Sequence, residues 1–129
     1  MSSHIAGTVY DDILGDLWIQ GMTNGDTESG TANVWTYSGS SWSALSNLNT
    51  ASQTAGVGFL VYFFANTDGA DDDSDLPVTL SVAGTENSAT VTRSTTASEW
   101  NLLGNPFAST IDADQLFTDN SNYTAVVYV

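Results

Sequence analysis

Trp100-Asn101-Leu102-Leu103-Gly104-Asn105-Pro106-Phe107-Ala108-Ser109-Thr110-Ile111-Asp112-Ala113-Asp114-Gln115-Leu116 is the stretch on which the reading of the fold turns. It predicts a strand, a sharp corner and a short helix. Trp100, Leu102 and Leu103 are strand-type apolar residues. Gly104-Asn105-Pro106 breaks the run, since glycine admits positive φ, proline fixes φ and lacks an N–H, and Asn105 is pushed out of the helical region by the proline after it. Asp112 is placed to cap a helix, with Gln115 at the third position of a capping box.

The same pattern recurs at the start of the chain. Ser2-Ser3-His4-Ile5-Ala6-Gly7-Thr8-Val9-Tyr10-Asp11-Asp12-Ile13-Leu14 aligns without a gap with residues 104–116. Ala6, Thr8, Asp12 and Leu14 meet identical residues at Ala108, Thr110, Asp114 and Leu116, and Ile5/Phe107 and Val9/Ile111 stay apolar. Ala32-Asn33-Val34-Trp35-Thr36-Tyr37 also parallels Thr124-Ala125-Val126-Val127-Tyr128-Val129. A period of this length points to a duplicated half-domain and not to a solenoid of short repeats.

WNLLGNPFASTID, residues 100–112, resembles the W-N-L-x-G-N-P-[YF]-x-S-x-I-D signature near the C-terminal ends of large secreted proteins of the Bacteroidota, many of them exported by the type IX secretion system. Residues 17–21, 32–37 and 56–62 resemble segments upstream of that signature, so the likeness covers most of the chain. It implies an extracellular β-sandwich domain and a structural role for the signature. The sorting domain that ends such proteins has no counterpart in the sequence.

Length and composition set the bounds. The chain has 129 residues and 41% hydrophobic residues, enough for one domain with a core. Without cysteine it can form neither disulfides nor thiolate metal sites. No signal peptide or membrane-spanning stretch is visible. Fifteen acidic residues face one basic residue, Arg93, for a net charge of −14. Nothing neutralises phosphate, which excludes duplex nucleic acid and anionic membrane surfaces as partners. Such a surface repels itself at low ionic strength and is relieved by salt; a saline source fits, as does an ordinary lysine-poor extracellular protein.

Along the chain, residues 8–18 predict an amphipathic helix with Val9, Ile13, Leu14, Leu17 and Trp18 on one face, Thr8 as its cap and Asp11 at the third position, weakened by Gly15. Residues 33–38 and 42–45 read as strands joined by a tight turn at Gly39-Ser40-Ser41. The unbroken apolar run Gly56-Val57-Gly58-Phe59-Leu60-Val61-Tyr62-Phe63-Phe64-Ala65 predicts a central strand covered on both faces. Residues 78–83, 89–93, 100–103 and 123–129 complete the set of strands. Many short strands with frequent turns predict a mainly β fold, an antiparallel β-sandwich with two short helices built from a duplicated half-domain. Phe59, Val61, Leu102, Ile111 and Leu116 are expected in its core.

Candidate sites are few. The loop over residues 66–75 carries five carboxylates, and Asp68, Asp71, Asp73 and Asp75 are the candidate calcium ligands, calcium favouring six to eight oxygens. An EF-hand is excluded because its twelfth position, Thr79, is not glutamate, and a solvated acidic loop is the simpler reading. The single histidine, His4, aligns with Pro106 and reads as a corner residue, so a hydrolase triad lacks its base. Asp112 and Asp114 are explained by capping better than by glycoside hydrolysis. Among the aromatics, Trp18 and Trp100 lie at core-type positions, whereas Trp42, with Tyr37, is the candidate exposed platform for a glycan.

The sequence therefore predicts a non-catalytic extracellular domain of a secreted cell-surface protein, structural or adhesive. A carbohydrate-binding module of a secreted multidomain enzyme is the alternative. Each copy of the repeat lacks strands that the other has. Unpaired edges predict completion by a longer polypeptide or by strand donation between copies into a filament, with Tyr123, Val126, Val127, Tyr128 and Val129 as the assembling strand.

Overall fold

A computed structural model of the chain describes residues 1–50, 52–65, 76–121 and 123. The elements are α1 (Asp11–Leu14), β1 (Val34–Ser38), β2 (Ser41–Ala44), β3 (Phe59–Val61) and α2 (Ala113–Asp119). The fold is mainly β: the three strands form one antiparallel sheet in the order β2-β1-β3. The turn between β1 and β2 is Gly39-Ser40, with φ of +54° and +67°. Two consecutive positive φ angles make a type I′ turn, whose twist matches the flanking strands and sets the register Tyr37↔Trp42 and Trp35↔Ala44.

Register sorts the side chains. Val34 faces Val61 and Thr36 faces Phe59 across β1 and β3, so these four share the inner face. Val34, Phe59 and Val61 are buried there against Tyr10, Ile13, Leu14, Leu17, Ile19, Met22, Leu45 and Leu48. Tyr10 and Phe59 meet edge to face at 5.1 Å. Val78, Leu80 and Val82 pack partly buried on this cluster, while Thr79, Ser81 and Ala83 are exposed.

Several expectations are corrected. The helix expected over 8–18 shrinks to Asp11–Leu14. Its N-cap is Tyr10, two residues later than expected and without a side-chain cap bond; the Val9 N–H donates to the Asp12 carboxylate at 2.8 Å, while the Thr8 hydroxyl turns inward to Ser3 and Ile5. Beyond Gly15 the chain is pulled into a loop, because Ile19 and Asp26 exchange two 2.7 Å hydrogen bonds. Leu17 nevertheless stays buried.

The apolar run 56–65 is not central and not covered on both faces. β3 is an outer strand of the three, with burial alternating as Phe59 in, Leu60 out and Val61 in. Its edge away from β1 is taken by Met1, whose backbone both donates to and accepts from Phe59 at 2.6 and 2.8 Å. Residues 78–83 and 89–93 keep an extended apolar pattern, with Val91 half-buried, but form no ladder among the described residues. Residues 100–103 make a single bridge, Leu103 to Val57. Leu102 and Leu116 are only half-buried and Ile111 is exposed, because the core is filled from the N-terminal half; Trp100, read as a core residue, is 62% exposed.

The second corner forms as a tight junction. A Cβ on Gly104 would lie 2.3 Å from Ser2 Cβ and 2.9 Å from the Val57 carbonyl oxygen, so only glycine fits where the two ends of the repeat approach. Asp112 caps α2 by accepting from the Asp114 and Gln115 N–H groups. Gln115 does not return the bond as a capping box would; its amide reaches forward to Asp119 at 2.8 Å. α2 buries no residue fully.

Candidate functional site

The outer face of the sheet is built by the same register that fills the core. Trp35, Tyr37, Trp42, Leu60 and Tyr62 alternate with the inward residues, so all five project to the opposite side. Trp42 is 51%, Leu60 48% and Tyr62 60% exposed. Tyr37 and Trp42, directly opposite in register, meet edge to face at 5.0 Å and 63°. Ala44 stands opposite Trp35, and its small side chain leaves a shallow groove lined by Trp35, Trp42 and Leu60. Tyr62 continues the aromatic line to Phe64 at 5.1 Å.

Tyr37 also borders a second concavity. A cleft of about 100 Å³ lies between the hairpin end and the segment 93–103, lined by Tyr37, Arg93, Ser94, Thr96 and Trp100 among others. Asn101 shapes its wall: its carbonyl oxygen accepts the Thr96 N–H at 2.9 Å and its amide donates to the Thr96 and Glu99 carbonyls at 3.1 and 3.0 Å. This closes residues 96–101 into a ring that presents Trp100. The aliphatic stem of Arg93 lies over Gly56, where a Cβ would sit 2.8 Å from Arg93 Cγ.

The expected glycan pair, Trp42 and Tyr37, is thus brought together on an exposed face. The proposed calcium ligands Asp68, Asp71, Asp73 and Asp75 lie outside the described residues; among those described, no group of three metal-ligating side chains converges. Of the assembly residues, Tyr123 packs its ring against Phe117 at 6.4 Å, and Val126, Val127, Tyr128 and Val129 lie outside the described residues. The His4 carbonyl accepts the Asn87 N–H at 2.9 Å, in keeping with its reading as a corner residue. No helix among the described residues is long and apolar enough to cross a membrane.

The cleft at Arg93 and Trp100 was not foreseen. Arg93 stood out only as the lone base, and Trp100 was assigned to the core by its spacing from Leu102 and Leu103. The one local signal was Asn101 beside Ser98 and Thr96, residue types that bond to nearby backbone in loops.

Comparison with protein-family models, with curated proteins and with solved structures finds no match to this chain.

Proposed function

We propose that the chain is a non-catalytic extracellular domain of a secreted cell-surface protein, with a structural or adhesive role exerted through the outer face of its sheet. The observation that carries this reading is the row of exposed Trp42, Leu60 and Tyr62 with half-buried Trp35 and Tyr37, on a chain of net charge −14. A contiguous apolar face on an otherwise strongly charged surface marks an interaction site. The resemblance of residues 100–112 to the Bacteroidota signature supports the extracellular setting.

In its finer form the sheet is one layer of an antiparallel β-sandwich derived from a duplicated half-domain. Three observations support duplication. α1 and α2 begin at aligned positions, 11 and 113. Asn87 bonds to the carbonyls of His4 and Pro106, which are also aligned, by its N–H at 2.9 Å and its amide at 3.0 Å. Met1 and Leu103, again aligned, both pair with the segment 56–59. All four residues of β2 are exposed, and no strand among the described residues pairs with its outer edge, which offers a place for a donated strand.

Sedimentation at saline ionic strength tests the assembling form. Concentration-dependent species that disappear on Trp42→Ala or on removal of residues 123–129 are expected. A compact monomer at every concentration overturns strand donation.

A second reading, a carbohydrate-binding module, is favoured by the Tyr37–Trp42 pair, since exposed rings suit the apolar faces of pyranoses. Glycan-array binding lost on Trp42→Ala would support it, and an empty array would remove it.

A further inference from the structure

The cleft beside the aromatic face holds the only basic side chain of the protein. In a chain with fifteen acids a lone arginine has an abundance of carboxylates to pair with. Arg93 nevertheless makes no hydrogen bond and no ion pair among the described residues. Its stem is held against Gly56.

We propose that this cleft binds a uronic-acid unit of a glycan, the Arg93 guanidinium taking the sugar carboxylate. The inference rests on the glycan-binding reading of the outer face, with which the cleft shares Tyr37. The planar guanidinium fork matches a carboxylate through two parallel N–H···O bonds, a geometry that a lysine would not supply. Tyr37 offers a ring for the sugar's C–H face. The hydroxyls of Ser94 and Thr96, which make no hydrogen bond among the described residues, offer partners for its hydroxyls. A sugar acid presents its carboxylate, hydroxyls and an apolar C–H face within one ring, which suits an arginine, two hydroxyls and an aromatic ring set around one small cleft.

Size points the same way. At about 100 Å³ the cleft is far below the ~300–1,000 Å³ of pockets that enclose a drug-sized ligand, so it takes one charged group and the edge of one ring. The chain's overall negative charge repels a polyanion at long range, and salt screens that repulsion beyond about 8 Å at physiological strength. Binding therefore belongs to saline conditions.

The test uses the full chain at saline ionic strength against an array of uronate-containing oligosaccharides, their methyl esters and neutral oligosaccharides of the same length. The acid forms are expected to bind at least about fivefold more tightly than the esters, the scale of a charge-assisted hydrogen bond in an open site. Arg93→Gln is expected to abolish that preference without changing the unfolding temperature, and Arg93→Lys to keep part of it. Equal binding of acids and esters by the unaltered chain overturns the proposal, and that comparison does not depend on any variant folding. Neutral glycans bound through Trp42 with no acid preference would leave the outer-face reading standing and remove this one. No binding to any member of the array removes both.

Discussion

At the residue scale, asparagine does much of the organising. Its side chain carries both a donor and an acceptor, so it can satisfy backbone groups that no ladder reaches. Asn33, buried, accepts from the Gln20 N–H and donates to the Trp18 and Tyr62 carbonyls, tying the loop before β1 to the end of β3. Asn105 accepts from the Phe107 N–H and donates to the Ser109 carbonyl, fixing the corner that Gly104 and Pro106 open. Asn101 does the same for the ring at 96–101. Folding alters the chemistry of Tyr10: burial against the core raises its pKa above the usual value of about 10. The unfolded chain ionises first as pH rises, so the contribution of Tyr10 is complete below pH ~10 and is lost as pH climbs through the raised folded value. Ultraviolet titration should show one phenol ionising later than the others, together with unfolding, and Tyr10→Phe should remove that late phase.

At the element scale, periodicity foretold which residues turn inward better than it foretold the elements. Ile13, Leu14 and Leu17 are buried as a helical face requires, although the helix covers only two of them. Val78, Leu80 and Val82 face the core as an alternating strand requires, although no ladder forms. The β1–β2 hairpin is legible in outline, because Gly39-Ser40 supplies the positive φ angles locally, although Ser41 opens β2 and does not belong to the turn. Core mutations should separate the two halves. Leu14→Ala, at a fully buried position, should lose about 2–5 kcal/mol, whereas Leu102→Ala, half-buried, should lose under about 2 kcal/mol. Denaturant unfolding of the two variants checks this, and an equal loss would mean that the C-terminal half shares the core.

At the scale of the whole molecule, charge and core are unevenly distributed. Among the described residues, the buried members of the apolar core cluster lie at or before Val61, while the net charge of −14 belongs to the entire chain. Repulsion among the acids opposes compaction, and its range shortens as salt is added. Unfolding temperature should therefore rise with sodium chloride. Calcium should raise it further than ionic-strength-matched sodium chloride only if Asp68, Asp71, Asp73 and Asp75 hold the ion, by the linkage between ligand binding and folding. Equal shifts in the two salts would dismiss the calcium site.

Sequence by itself determined the mainly β character, the hairpin, the Asp112 cap, the exposure of Trp42 and the acidic composition. Each of these depends on neighbours within a few residues or on composition alone. Only the tertiary structure decided that β1 and not the run 56–65 is the central strand of the three, and that Trp100 is exposed and not part of the core. It also decided that Arg93 lines a cleft with Tyr37, a residue 56 positions away in sequence. Whether an apolar side chain is buried depends on what segment the chain returns to cover it with. That choice is made by competition for a limited core, and no local pattern records its outcome.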